Sequence, residues 1–315
     1  ILLCAGIGLA YWVSTPSLDK MVGQMIMTGF HGDGNGENVE SFVAIEEQIQ
    51  KGHVGGVILF DVDVSGLVAQ GMTIPEAKKH IFSSNIKNMD QVQALTTHLQ
   101  SISKTPLLIA IDQEGGNVQR LKPEHGFAAI PSAKKLAMGD VKTAYNTAYD
   151  LGTRLYNLGI NVDFAPSVDV DVNPKSPAIG ALERSFSSNP KIVTEFGKAF
   201  SDGLNDAQVV SSFKHFPGHG DCEVDSHLGL PTINYDLDRI HKVEMYPFMQ
   251  NIDVPAIMSA HILFPAYDTV PATLSRKILT NVLREELGFK GLILTDCLEM
   301  KAIQDMYGTA KGALM

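Results

Sequence analysis

Residues 214–227 read Lys-His-Phe-Pro-Gly-His-Gly-Asp-Cys-Glu-Val-Asp-Ser-His. One Lys, three His, two Asp and one Glu fall within fourteen residues. Pro217, Gly218 and Gly220 are incompatible with a helix interior or a central strand. The segment is therefore a loop, and loops on a rigid scaffold often carry chemistry. Two chemistries fit the residues. Asp225 stands two residues before His227 and can bond one imidazole nitrogen, leaving the other free to move a proton. Alternatively, His215, His219, Asp221, Asp225 and His227 could ligate a metal such as zinc. The spacing of His215 and His219 suits a metal on a helix, and Pro217-Gly218 break a helix there.

Two further acidic sites follow apolar runs. Asp296 ends the run Gly291-Leu292-Ile293-Leu294-Thr295. A carboxylate at the end of a buried strand is costly unless it is paired or used. It reads either as a nucleophile or charge stabiliser, or as the N-cap of a helix over residues 298–307. Asp112-Gln113-Glu114-Gly115-Gly116 puts two acids before a glycine pair, and Arg120 can pair with either acid or grip a ligand oxygen. No GxGxxG or GxxxxGK nucleotide pattern occurs.

These residues need a scaffold. Apolar runs at 25–30, 56–60, 107–112, 160–164, 209–214, 256–261 and 292–296 are near-continuous in Val, Ile, Leu and Met, as expected of parallel strands buried on both faces. Helical patterns alternate with them, including 92–103, 143–158, 192–205 and 276–287. Asp236 or Asp238 and Ser275 suit N-caps, and Gly159 and Gly288 sit where helices should stop. Seven β-then-α units predict an α/β fold, a TIM-type (β/α)8 barrel truncated after its seventh unit. Asp112, Asp163, Lys214-His215, His261 and Asp296 all fall at C-terminal strand ends, the face that carries barrel active sites. Residues 62–89 read as an insertion after the second strand, and 173–190 as a polar loop over the fourth.

The chain has 315 residues and a formal net charge of −10, which argues against a nucleic-acid partner. Cys4, Cys222 and Cys297 form neither a pairing pattern nor a metal-ligand spacing, and Cys297 reads as a small buried hydrophobe. Residues 1–14 open with an apolar stretch too short to span a bilayer. It fits the remnant of an export signal or anchor ahead of a catalytic barrel domain at 15–315, and points to a periplasmic or extracellular setting. No other stretch looks transmembrane.

The motifs are found together in one family. Val22-Gly23-Gln24-Met25-Ile26-Met27-Thr28-Gly29-Phe30, Asp112 through Leu121, Arg184-Ser185-Phe186, Lys214 through His227 and Thr295-Asp296-Cys297-Leu298-Glu299-Met300 resemble family 3 glycoside hydrolases, within them the NagZ-type β-N-acetylglucosaminidases (β-N-acetylhexosaminidases). The resemblance implies a retaining exo-β-N-acetylglucosaminidase acting on terminal GlcNAc. Its small-molecule substrates would be peptidoglycan fragments with GlcNAc linked to muramic acid or its anhydro form. No cofactor or metal is implied. Asp296 would be the nucleophile, giving a covalent glycosyl-enzyme, and His227 the general acid/base, oriented by Asp225. Asp112, Arg120, Arg184, Lys214 and His215 would hold the hydroxyl and acetamido groups. His219 receives no catalytic role and is structural within the loop. A phosphorylase using the same dyad is the alternative, because a neutral imidazole does not repel phosphate. The chain departs from the pattern at Asn117, where many relatives carry Arg, and at Ala181-Leu182, which lengthen the loop before Arg184. Trp12, the single tryptophan, lies outside the expected site, so recognition should rest on charged and hydroxyl contacts.

Overall fold

The computed structural model describes residues 16–36, 39–61 and 85–315. The apolar segment 1–14, with Trp12, and most of the insertion expected over 62–89 lie outside the described residues.

All seven expected strands form: β1 (Met27–Gly29), β2 (Gly56–Leu59), β3 (Leu108–Ile111), β4 (Val162–Asp163), β5 (Val210–Phe216), β6 (Ala256–Ser259) and β7 (Leu292–Thr295). They make one parallel sheet in chain order from β1 to β7. A doubly wound sheet would reverse its strand order at a switch point; unbroken sequential order is that of a (β/α) barrel.

Parallel neighbours require crossovers, and helices supply them. α1 (Leu18–Gly23) precedes β1, and the principal crossover helices are α2 (Val39–Lys51), α3 (Met89–Ile102), α4 (Val141–Asn157), α5 (Pro190–Asp206) and α6 (Leu237–Lys242). In α4 the buried Ala144, Ala148, Leu151, Gly152 and Leu155 recur every three or four residues, the stripe a helix lays on a sheet. Asp140 caps it by accepting from the Thr143 N–H at 2.7 Å. Gly159, at φ +74°, follows its end in the left-handed conformation that glycine adopts most readily. Asp236 caps α6. Ser275 accepts from the Ile278 N–H at 3.1 Å, at the start of Lys277–Glu286, which winds as a π-helix. Among the described residues no helix is long and apolar enough to cross a membrane.

The sheet curls around its own small core. Met27, Ile58, Leu108, Ala110, Val162, Phe164, Val210, Met258 and Leu294 form one apolar cluster fed by every strand. Side chains alternate faces along a strand. Counting on by two from these inward positions gives Asp112 after Ala110, Lys214 after Val210 and Ser212, and Asp296 after Leu294. The barrel lining thus changes from apolar to charged at its C-terminal end.

Candidate active site

The floor of the site is a buried ionic network. Lys214, 3% exposed, places Nζ 2.8 Å from Asp112 Oδ1 and 2.7 Å from Glu114 Oε1. Arg184 grips Glu114 in bidentate fashion, Nε at 2.9 Å and Nη2 at 2.7 Å, and donates from Nη1 to the Ala178 carbonyl. Arg120 Nη2 reaches Asp112 Oδ2 at 3.2 Å. Burial alone raises a carboxyl pKa, but here the cations outweigh it. Lys214 and Arg120 hold Asp112 well below the carboxylate range, and Arg184 with Lys214 hold Glu114 at about 2. Asp163 is the contrast. Burial pushes its carboxyl up to about 8 despite the Gln113 N–H at 2.9 Å, so it stays protonated at neutral pH. Fixed charges of this kind make charge-assisted hydrogen bonds to ligand oxygens.

Beside the network, Asp169 is a fully buried hub. Its Oδ2 bonds His215 Nδ1 at 2.7 Å and accepts from Ser167 Oγ at 3.0 Å. Its Oδ1 accepts the N–H groups of His215 and His219 at 3.2 and 2.6 Å. His215 Nε2 lies 3.4 Å from Arg184 Nη2, which joins the hub to the floor. Beyond His219 the loop lies directly on the chain: a Cβ at Gly220 would fall 1.7 Å from the Val170 carbonyl oxygen. Removing one partner of a buried, hydrogen-bonded pair leaves the others uncompensated. Asp169→Ala should therefore lower unfolding free energy at pH 7 by about 3–5 kcal/mol, read as a lower urea midpoint. The folded Asp169 carboxyl is held below its ordinary value: burial opposes this, but His215 outweighs it. The gap between wild type and variant should thus shrink as pH falls below the unfolded carboxyl value near ~3.9. Equal midpoints at pH 7 would reject the hub.

Asp225 and His227 sit at the rim. Asp225 Oδ1 lies 2.8 Å from His227 Nδ1 and also accepts the His227 backbone N–H at 2.9 Å. The imidazole side chain is 62% exposed, so Nε2 is available on the open side. Partial desolvation by its surroundings at the rim opposes the charged form of His227, but the Asp225 bond and the charges of Asp225 and Asp296 outweigh it and raise its pKa. The Asp225 carboxyl is held at about 2: burial opposes, and His227 prevails. Asp296 is likewise held down, because the charges of His261, His215 and His227 overcome burial. Its Oδ1 accepts the Cys297 N–H at 2.7 Å. His261 fixes the same segment, bonding the Cys297 carbonyl through Nε2 at 2.8 Å and Thr273 Oγ1 through Nδ1 at 2.9 Å.

All eight residues singled out from the sequence therefore meet at one barrel end. Asp112, Arg120, Arg184, Lys214 and His215 form a connected network; Asp225 and His227 pair at the rim; Asp296 lies within electrostatic reach of His215 and His227. Glu114, Asp169 and His261 complete the site and were not singled out as site residues. Glu114 stood in the Asp112–Gly116 motif and His261 among the strand-end polar groups, whereas Asp169 had no local signal. One expectation is corrected. Asp296 does not cap a helix, since the next one, Lys301–Gln304, has Met300 at its N-cap. The departures at Asn117 and Ala181-Leu182 touch, Asn117 Nδ2 donating to the Leu182 carbonyl at 3.2 Å. Among the described residues no three His, Cys, Asp or Glu side chains converge as a metal-binding group. A cavity of about 380 Å³ bordered by Phe42, Glu46, Leu95 and His98 lies between α2 and α3 and includes none of the site residues.

Comparison with known proteins places the chain in a family. β-Hexosaminidase A of Pseudoalteromonas piscicida is 42% identical over 258 residues, covering 74% of this chain and 43% of that protein. The β-hexosaminidase of Hydrogenovibrio crunogenus is 36% identical over 231 residues, covering 70% and 63%. A family 3 β-N-acetylglucosaminidase structure from a Paenibacillus species aligns at TM-score 0.82 and 38% identity, covering 95% of this chain and 53% of that one. NagZ from Neisseria gonorrhoeae, solved with N-trifluoroacetyl-D-glucosamine, aligns at TM-score 0.75 and 30% identity, covering 92% and 78%. The chain thus spans about half the length of the first relative and the first structure, 43% and 53%. The family described as Glycosyl hydrolase family 3 N terminal domain matches residues 17–315, and the chain belongs to it.

Proposed function

We propose that this barrel is the catalytic domain of a retaining exo-β-N-acetylglucosaminidase. The observation that carries the reading is the Asp225–His227 pair, bonded through Nδ1 at 2.8 Å and open at Nε2, within the electrostatic reach of Asp296. Glycoside hydrolysis needs an acid to protonate the leaving oxygen and, in retaining enzymes, a carboxylate to attack the anomeric carbon. Protonated His227 would give its Nε2 proton to the glycosidic oxygen as Asp296 attacks, breaking the glycosidic bond and forming a glycosyl ester. The neutral imidazole would then take a proton from water, whose oxygen attacks the anomeric carbon and frees Asp296. Lys214, Arg184, Arg120, Asp112 and His215 would hold the sugar hydroxyls and the acetamido group. The relatives' names and the N-acyl-glucosamine bound to the gonococcal protein support GlcNAc as the terminal sugar. Muropeptide fragments carrying terminal GlcNAc are the proposed natural substrates.

An aryl β-GlcNAc substrate tests the activity. Purified protein should release GlcNAc with retained configuration, seen by NMR of the first-formed anomer. An inverted product would reject the mechanism. A second reading, phosphorolysis, is favoured by the same His227, which carries no negative charge when it acts as base. Added inorganic phosphate should leave GlcNAc as the product; GlcNAc-1-phosphate would assign the phosphorylase instead.

A further inference from the structure

We propose that His219 and Ser226 form a positioning pair that ties the sugar-binding floor to the proton-transfer loop. The proposal rests on the reading of His227 as the acid/base. Residues 217–236, all described, contain no helix or strand, and Glu223, Val224, His227 and Leu228 are exposed. A proton donor nevertheless has to be held within about 0.5 Å of its working position. Cys222 and Ile233 pack into the core, but over residues 223–228 only Ser226 is buried, so side-chain packing next to the dyad gives little to achieve that. Something buried must hold it.

Two residues of this loop are buried and bonded to each other. His219 is 2% exposed and Ser226 3%, and His219 Nε2 lies 3.3 Å from Ser226 Oγ. His219 is anchored on the floor side. Its N–H donates to Asp169 Oδ1 at 2.6 Å, and its ring packs edge-on against His215, centroids 5.4 Å apart at 64°. Ser226 stands between Asp225 and His227, so its position sets the backbone that carries both. Its carbonyl accepts the Ala302 N–H at 3.2 Å, which lies in the segment following Asp296. The hydroxyl of Ser226 is thus held from the sugar floor and its carbonyl from the nucleophile side. Burial, reinforced by the neighbouring charge of His215, pushes the His219 pKa down to about 4. The ring is therefore neutral at working pH and bonds the hydroxyl without placing another cation beside His227.

The test compares leaving groups within each variant, a ratio that does not depend on how much protein is active. Ser226→Ala and His219→Asn should each lower kcat/KM for GlcNAc linked to a sugar or alkyl group by about 10- to 100-fold. Their kcat/KM for the 2,4-dinitrophenyl glycoside, which leaves without a proton, should change little. Ser226→Thr, which keeps the hydroxyl, should recover most of the loss. The double variant should be no worse than the more damaging single one, because both substitutions break one link. Equal losses on both leaving groups, or additive losses in the double variant, would overturn the pair. His227→Ala, run alongside, separates the two ideas. A leaving-group bias in His227→Ala but not in Ser226→Ala rejects the positioning pair alone. No bias in His227→Ala rejects the acid assignment, and the pair with it.

Discussion

Asp296→Ala is expected to lose on the order of 10⁴-fold in kcat/KM on aryl β-GlcNAc, roughly 5.5 kcal/mol of transition-state stabilisation. The size follows from the proposed chemistry. Without the carboxylate the anomeric carbon has no attacking partner, and the covalent intermediate that divides the reaction into two easier steps is lost. In the proposed reaction Asp296 would attack as a carboxylate: against burial, His261, His215 and His227 hold its pKa below the ordinary value. It is also aimed, since the Cys297 N–H engages Oδ1 and His261 holds the Cys297 carbonyl. A mechanism-based fluoro-sugar should label wild-type protein on Asp296, located by peptide mapping, and should leave the variant unlabelled. Normal turnover by Asp296→Ala, or a label on another residue, would reject the assignment.

The second large effect belongs to the dyad. His227→Ala should cost about 10²- to 10⁴-fold in kcat/KM on substrates with poor leaving groups and far less on activated aryl glycosides. General-acid help matters in proportion to the basicity of the departing oxygen, so uniform loss would count against the role. The pH profile gives an independent reading. In the proposed first step His227 is protonated, and its pKa lies above the ordinary imidazole value near ~6.5. Activity should therefore persist past that value and fall as pH rises through the raised pKa. Asp225→Asn removes the Asp225 charge that favours the protonated ring, so the alkaline limb of kcat/KM should move to lower pH. A limb that stays in place would mean that another group titrates there. The acidic limb should lie below the ordinary carboxylate value, because the Asp296 pKa is lowered.

Much of this architecture was legible in the chain. The seven apolar runs matched the seven strands because a strand covered on both faces must be apolar almost throughout. Asp236 and Gly159 marked helix ends because caps are local chemistry. The dyad was legible for the same reason: Asp225 and His227 are two residues apart and bond without help from the rest of the fold. Asp169 escaped notice because it meets His215 across 46 residues. Glu114 stood in a noted motif, but nothing local paired it with Arg184, 70 residues away.

The sequence by itself determined the strands, their caps, the strand-end places of Asp112, Lys214 and Asp296, and the Asp225–His227 pair. Each of these depends on connectivity over a few residues. Only the tertiary structure decided which charges neutralise one another, that Asp169 is the hub beneath His215 and His219, and that Ser226 links the rim to the floor. Those outcomes depend on which strand ends become neighbours when the sheet curls. The local sequence does not specify that proximity, and in a low-dielectric interior it decides whether a buried charge is paired.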